Sequence, residues 1–263
     1  MRTRPSLPRA AARSCWDLTS VNCNWPICNA AARAASSRSA VAVFMKSYLR
    51  KSLYMFVHVE KVVTGPLATN TYIVCSAEEC VVVDPGGGAD RVLARLGGRS
   101  VAAVVATHLH FDHVAAVAAL TEAAGAPFYA HPADWAVYRE LNAVAEEWGF
   151  ETPDLPTPKP LGERLWIFDV WHTPGHTPGS VSLVANGAVF TGDTLFYQSV
   201  GRTDLPLGDW DLLVQSVCRL YSLPRNYVVY PGHGPETHMG LEAADNPFIN
   251  ADVCKAGGHR NPY

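Results

Sequence analysis

The feature that most constrains this sequence is the segment HLHFDH, residues 108–113, which follows the apolar run VAAVVAT. That run has the length and composition of a short strand buried on both faces. Three histidines and an aspartate at its end would be buried as well. An uncompensated buried polar or charged group costs several kcal/mol, so we expect metal ions to compensate these side chains.

Three later loops carry candidate ligands in the same setting, each beside glycines at the end of a predicted strand. They are TPGHTPGS with His176, FTGDTLF with Asp193 and YPGHGP with His233. Loops that leave a rigid sheet often carry functional residues, and glycine permits the tight turns that such a site needs. Imidazole and carboxylate groups are the ligands expected for zinc, iron or manganese.

The spacing inside the first motif has a geometric consequence. Residues two apart in an extended chain point the same way, so His108 and His110 can bind one ion. A helix is predicted to start at Asp112, which would turn Asp112 and His113 towards a second ion. A carboxylate such as Asp193 can bridge two ions about 3.5–4 Å apart, a common arrangement in hydrolases.

These motifs resemble those of the metallo-β-lactamase superfamily and, within it, of glyoxalase II-like (hydroxyacylglutathione hydrolase-like) short hydrolases. The resemblance runs from TGPLATNTYIV (64–74) to NPFI (246–249). It implies two divalent metal ions, zinc in the first place, with iron or manganese as alternatives. The ligands that it assigns to metal 1 are His108, His110 and His176. Those of metal 2 are Asp112, His113 and His233, and Asp193 bridges the two ions.

Five other histidines are predicted to have structural roles only. His172 lies four residues before His176, but only His176 occupies the superfamily's loop position. His131 is expected near the pocket without being a ligand. The remaining three are His58, His238 and His259.

The resemblance implies an α/β (α+β) fold, a four-layer αβ/βα sandwich of two mixed β-sheets flanked by helices. The predicted elements agree, because hairpins at SAEE and at Asn186-Gly187 interrupt the alternation of strands and helices, which argues against a doubly wound parallel sheet. The Pro-rich segment 151–160 is predicted to be an extended surface loop. Helices are predicted over 89–96, 112–125, 133–149 and 209–222.

The implied activity is that of a binuclear hydrolase that cleaves an acyl bond, foremost a thioester such as S-lactoylglutathione, by attack of a metal-bridging hydroxide. Metal-bound water ionises near pH ~7, and the ions can polarise a carbonyl. Asp112 is also a candidate proton relay. Two alternatives remain: a mononuclear iron oxidoreductase like the persulfide dioxygenases, which resemble this chain in GRTD (201–204), and a hydrolase of lactones or other esters with the same fold.

Two residues outside the ligand set are also candidates. In glyoxalase II a basic residue after the bridging aspartate helps to hold glutathione, and by position this is Arg202, with an ion pair to Asp204 or Asp209 as the alternative. Asp84 ends the run CVVVD and either supports a ligand histidine through its second ring nitrogen or is a turn aspartate.

The chain also departs from full-length glyoxalase II. Only 30 residues follow His233, where the longer enzymes carry a helical domain with further glutathione contacts. GHGPET also stands where those enzymes have GHEYT, so the usual tyrosine is missing. A more open thioester site is therefore expected.

Residues 1–54 differ in kind from the rest, with nine Lys or Arg against one acid and many Ala and Ser residues. We predict a disordered or transit-like extension, or a mistaken upstream start before Met55, and a hydrolase domain over 55–263. Its location is predicted to be cytoplasmic, or an organelle matrix if the extension is a genuine transit peptide.

The predicted domain is acidic, with twelve Lys or Arg against twenty-three Asp or Glu. A nucleic-acid partner is therefore not expected. The chain has no apolar run of eighteen residues, so no membrane association is expected either. The expected partner is a small acyl thioester, with or without glutathione as its thiol. The oligomeric state is left open.

The seven cysteines are odd in number and irregular in spacing, which argues against a disulfide framework. Cys75 and Cys80 would face each other across a hairpin, but are predicted to be two small buried apolar residues.

Overall fold

The computed structural model describes residues 58–76 and 79–257. The predicted extension, residues 1–54, lies outside the described residues, so its assignment stays a prediction. No helix in the described part is both long and apolar enough to cross a bilayer.

The first sheet is mixed and contains the HLHFDH motif at the end of its fourth strand. Its strands lie in chain order, and the first three are antiparallel neighbours, whereas the third to the sixth run parallel. They are β1 His58–Thr64, β2 Thr69–Cys75, β3 Glu79–Val83, β4 Ser100–Val105, β5 Phe128–Ala130 and β6 Lys159–Pro160. The helices here are α1 Ala89–Leu96, α2 Phe111–Val114, α3 Val117–Ala124, α4 Pro132–Ala136, α5 Tyr138–Leu141 and α6 Ala143–Glu147.

The second half of the domain forms another mixed sheet. The strands that follow are β7 Arg164–Leu165, β8 Phe168–His172, β9 Val181–Ala185, β10 Ala188–Gly192, β11 Leu195–Phe196, β12 Ser199–Val200, β13 Val228–Pro231 and β14 Thr237–His238. The order in the sheet is β14-β13-β10-β9-β8-β7, and β11 and β12 pair separately. The helices are α7 Trp210–Leu220, α8 Met239–Asp245 and α9 Ala251–Lys255.

The residues of β3 show how the layers arise. Successive side chains of a strand point to opposite faces, so Val82 packs outwards with helix residues, while Val81 and Val83 pack between the two sheets. The second sheet packs its other face on α7, where Val189 meets Leu213. Three apolar cores therefore separate four layers, and the prediction of two mixed sheets flanked by helices is confirmed.

Two predicted helices are interrupted. The segment predicted as one helix from 112 to 125 is divided into α2 and α3, because the amide of Ala116 donates to the carbonyl of Pro85 at 2.9 Å. The segment 133–149 forms α4, α5 and α6, with breaks at Val137 and Asn142. Asn142 uses its side chain to bind another loop. Tertiary hydrogen bonds thus override the helical pattern, and the Pro-rich segment is irregular until β6 begins.

The prediction that the cysteines stay unpaired is wrong in this structure. Cys75 and Cys80 are register partners on β2 and β3 and form a disulfide, with Cα atoms 4.0 Å apart. A second disulfide joins Cys218 of α7 to Cys254 of α9. An odd count still allows two pairs, and the second pair is separated by 36 residues, a contact that spacing does not reveal.

Disulfides persist mainly in oxidising compartments, whereas the cytoplasm keeps most thiols reduced. The two disulfides therefore conflict with the predicted cytoplasmic location. We expect the peptides carrying Cys218 and Cys254 to stay linked when the purified chain is digested without reductant and mapped by mass spectrometry. If both cysteines react with a thiol-blocking reagent in the denatured, unreduced protein, they are free thiols, and this result would contradict the pairing.

Candidate metal centre

The seven side chains that the sequence assigns to metal ions lie together where strands of both sheets end. His108 to His113 follow β4, and the later loops bring in His176, Asp193 and His233. Their nitrogen and oxygen atoms form three-residue groups, in each of which the atoms lie within 4.8 Å of one another. These groups are His108, His110 and His176; His108, His113 and Asp193; and Asp112, His113 and His233. The first and third match the two predicted ligand sets.

Asp193 lies between these two sets. Its Oδ1 is 3.4 Å from Nε2 of His113, and its Oδ2 is 3.6 Å from Nε2 of both His176 and His233. Within the sets, Nδ1 of His110 is 2.9 Å from Nε2 of His176. The Nε2 atoms of His113 and His233 are 3.2 Å apart. The carboxylate is thus placed where a bridging ligand would be.

The polar atoms at the centre fit metal ions. Nε2 of His108 and Oδ1 of Asp193, two residues of one of these groups, are buried and have no hydrogen-bond partner among the described residues. Buried polar atoms are nearly always partnered, so such a cluster of exceptions calls for a ligand. Neutral imidazoles and carboxylates together form a donor set suited to zinc, iron or manganese.

Electrostatics favour positive charge at this point. Burial lowers the pKa of His110 to about 3, which keeps its imidazole neutral. For Asp112, burial alone would raise the pKa. The charges of His113 and His233 outweigh this effect and lower the pKa of Asp112 to about 2. Burial likewise lowers the pKa of His113, yet the facing carboxylates of Asp112 and Asp193 raise it well above its usual range. Burial raises the pKa of Asp193 too, but the charges of His113 and His233 hold it well below its usual range, so two ionised carboxylates attract cations here.

A family comparison decides the identity of the fold. The family model described as "Metallo-beta-lactamase superfamily" matches residues 64–233, which is more than half of the chain and includes all seven side chains. The chain belongs to the metallo-beta-lactamase superfamily. The coarse function that follows is that of a metal-dependent hydrolase with divalent ions.

Similar superfamily members include named proteins. "Probable metallo-hydrolase YqgX" of Bacillus subtilis is 35% identical over 199 residues, which are 71% of this chain and 94% of that one. "Hydroxyacylglutathione hydrolase GloC" of Haemophilus influenzae is 32% identical over 188 residues, 66% of this chain and 89% of that one.

Two solved structures share the fold over 73% of this chain and nearly all of their own. TTHA1623, described in a di-iron-bound form, is 46% identical and has a TM-score of 0.68, with 100% of that chain covered. BLEG-1, described as a B3 metallo-beta-lactamase, is 36% identical with a TM-score of 0.68 and 99% covered.

Three of the candidate ligand histidines are held in place by a contact of the ring nitrogen Nδ1. Nδ1 of His176 is 2.7 Å from the carbonyl oxygen of Arg202, and Nδ1 of His233 is 3.1 Å from that of Leu67. Nδ1 of His113 lies 3.1 Å from Oδ2 of Asp84. Such contacts select the tautomer that leaves Nε2 for a cation.

Asp84 and Thr69 support the site from behind. Asp84 accepts hydrogen bonds from the amide of Thr107 at 2.6 Å and from its hydroxyl at 2.7 Å, besides facing His113. The structure thus places Asp84 where a supporting residue would lie, rather than in a simple surface turn. Thr69 donates from Oγ1 to Oδ2 of Asp112 at 2.9 Å. That bond orients Asp112, whose predicted roles as ligand and proton relay stay predictions.

Two buried residues that sequence reasoning missed organise the histidine loops. Asp134 accepts from the amide of Leu109 at 3.0 Å, from Oγ1 of Thr177 at 2.8 Å and from the amide of Gly179 at 2.5 Å, which ties the His108 loop to the His176 loop. Asn142 accepts from the amide of Phe111 at 2.6 Å. In the sequence both look like ordinary polar residues of a helix, so no signal distinguishes them.

Replacing Asp134 with alanine should lower the free energy of unfolding by about 3 kcal/mol or more, because three buried donors lose a charged acceptor. Chemical denaturation measures this. Asp154→Ala is the control, since its side chain is 95% exposed and should change the value by no more than about 0.5 kcal/mol. Equal stability of the two variants would contradict the linking role.

A cavity of about 340 Å³ opens over the cluster, and Arg202 is among its lining residues. The guanidinium donates to Asp204 from Nε at 2.7 Å and from Nη2 at 2.6 Å. This is the ion pair that was the alternative assignment, so a substrate contact of Arg202 stays a prediction. His131 and His172 lie outside the cluster, with stacked rings 4.4 Å apart.

Proposed function

We propose that this protein is a binuclear acyl hydrolase that cleaves a thioester such as S-lactoylglutathione. The observation that carries the proposal is the position of the Asp193 carboxylate between two groups of buried ligand atoms. The similarity to "Hydroxyacylglutathione hydrolase GloC" supports the thioester assignment.

With two divalent ions bound by these residues, water would ionise to a nucleophile at neutral pH and the carbonyl under attack would be polarised. The residues of the chain hold the candidate ligands in fixed orientations. Asp84 and the carbonyl of Arg202 fix the rings of His113 and His176. Thr69 fixes the carboxylate of Asp112. Because Asp84 and Thr69 are buried, the geometry of His113 and Asp112 is held before substrate arrives.

The activity is tested with the purified full chain, loaded with zinc, iron or manganese and supplied with S-lactoylglutathione. We expect thiol release that follows the metal content and stops when a chelator removes the ions. No release with two bound ions would contradict the S-lactoylglutathione assignment. Oxygen uptake with glutathione persulfide, or turnover of lactones or β-lactams, would then identify another reaction of the same site.

A further inference from the structure

The cavity over the metal centre is apolar on most of its wall. Its floor is formed by the ligand residues, and its volume of about 340 Å³ is within the ~300–1,000 Å³ typical of small-molecule sites. The wall includes Phe111, Leu141, Val144, Trp148, Val200 and Leu205. A polar acyl group would therefore lose water here without gaining hydrogen bonds in exchange.

One part of this wall is a continuous apolar face made by α5, α6 and the following turn. Leu141 ends α5, Val144 lies in the first turn of α6, and Trp148 directly follows α6. All three line the cavity. Phe111, next to the ligand Asp112, adds to the wall and stacks on Phe150 with ring centres 5.0 Å apart.

The charge next to this wall is neutralised. Arg202 is the one Lys or Arg residue among the lining residues in the described part of the chain. Its guanidinium is bonded at two positions to Asp204 and lies 5.7 Å from the centre of the Trp148 ring. An anionic acyl group would have to compete with that carboxylate, whereas an apolar one would not.

The lining of the cavity is not equally exposed along its length. Leu141 is fully buried, whereas Leu67 is 38% exposed and Trp148 is 44% exposed. An acyl chain that reaches from the metal centre to Leu141 would lose the most contact with water, so the buried part of the wall suits the apolar end of a thioester.

We propose that this site is selective for thioesters whose acyl group is an apolar chain, seated against Leu141, Val144 and Trp148. This inference rests on the proposed thioester hydrolysis. In the reaction the oxygen of a water molecule forms the new C–O bond and the C–S bond breaks. One hydrogen of that water stays with the carboxylic acid, and the other protonates the departing sulfur to give the thiol. The apolar wall acts on specificity and takes no part in bond breaking.

The test uses the full metal-loaded chain and a series of N-acetylcysteamine thioesters with acyl chains from acetyl to octanoyl. We expect kcat/KM to rise about three- to fourfold for each added methylene until the wall is covered. Val144→Ser should reduce the rise in kcat/KM per methylene, so that kcat/KM falls more for the octanoyl thioester than for the acetyl thioester. Ala143→Ser, at the exposed neighbouring position, should keep the increment of the wild type.

Binding provides a second readout that does not depend on turnover. Ketones with a methylene in place of the sulfur cannot be hydrolysed, and calorimetry should show their Kd falling with chain length by similar factors. A flat or decreasing series, with the short thioesters turned over, would overturn the chain selectivity and leave thioester hydrolysis standing. If neither S-lactoylglutathione nor any member of the series is hydrolysed with two ions bound, both proposals fail.

Discussion

Replacing Asp193 with alanine should lower thioester hydrolysis more than about a hundredfold and reduce the metal content from two ions to one or none. The carboxylate faces His113 with one oxygen and His176 and His233 with the other, so its loss affects both ligand sets. Removing a residue that only orients a metal ligand typically lowers metal affinity or activity by about 10–100-fold. Removing a residue placed between the two ligand sets should lower them more. Kinetics together with elemental analysis measures both effects.

The matched control is Asp169→Ala, on β8. Asp169 pairs with Arg164 at 3.1 Å, but its side chain is 59% exposed, and exposed pairs contribute little. That variant should keep both the metal content and the activity. An Asp193→Ala protein that still binds two ions and works at the wild-type rate would show that Asp193 does not bridge them.

Replacing Gly232 with alanine should also abolish metal loading and activity, although it removes no ligand. A Cβ at this position would overlap Oδ1 of Asp193 and Cε1 of His113. The backbone of Gly232 cannot retreat freely, because its amide donates to Gly192 at 2.9 Å and its carbonyl accepts from Asn70 at 2.7 Å. The added carbon must therefore displace the ligands themselves. We expect activity to fall more than about a hundredfold, as for other disturbed ligand geometry.

Gly162→Ala is the control for this substitution. A Cβ there would meet no atom within 4 Å, so metal content and turnover should be those of the wild type. Circular dichroism separates an unfolded Gly232→Ala protein from a folded one that lacks metal. A folded variant with two ions and full activity would show that the distances around Asp193 are less demanding than the structure indicates.

Strands and hairpins were the features most accessible from the sequence. The pair Asn186-Gly187 joins β9 to β10 as predicted, because its turn chemistry is local. The runs TYIVC and CVVVD on either side of the turn SAEE predict a hairpin, and β2 and β3 pair as antiparallel strands. Helix continuity was less accessible. The breaks at Ala116 and Asn142 come from bonds to distant loops, and no local pattern contains that information.

The candidate metal ligands were accessible from the sequence for a chemical reason. Buried histidines and aspartates at strand ends have few explanations other than a metal, and the structure does bring all seven together. Asp134 was not accessible, since an aspartate near a helix start is common and its partners Leu109 and Gly179 are remote in sequence. The apolar wall was hidden likewise, because Leu141 and Val144 look like ordinary core residues until the cavity is seen.

The measurement that tests the central claim most directly is a metal titration of the full chain, first stripped of metal, with thiol release from a thioester recorded at each addition. We expect activity to rise until two equivalents per chain are bound and then to stay constant. A plateau at one equivalent would contradict the binuclear site. Two bound equivalents without any thiol release would contradict the thioester hydrolase.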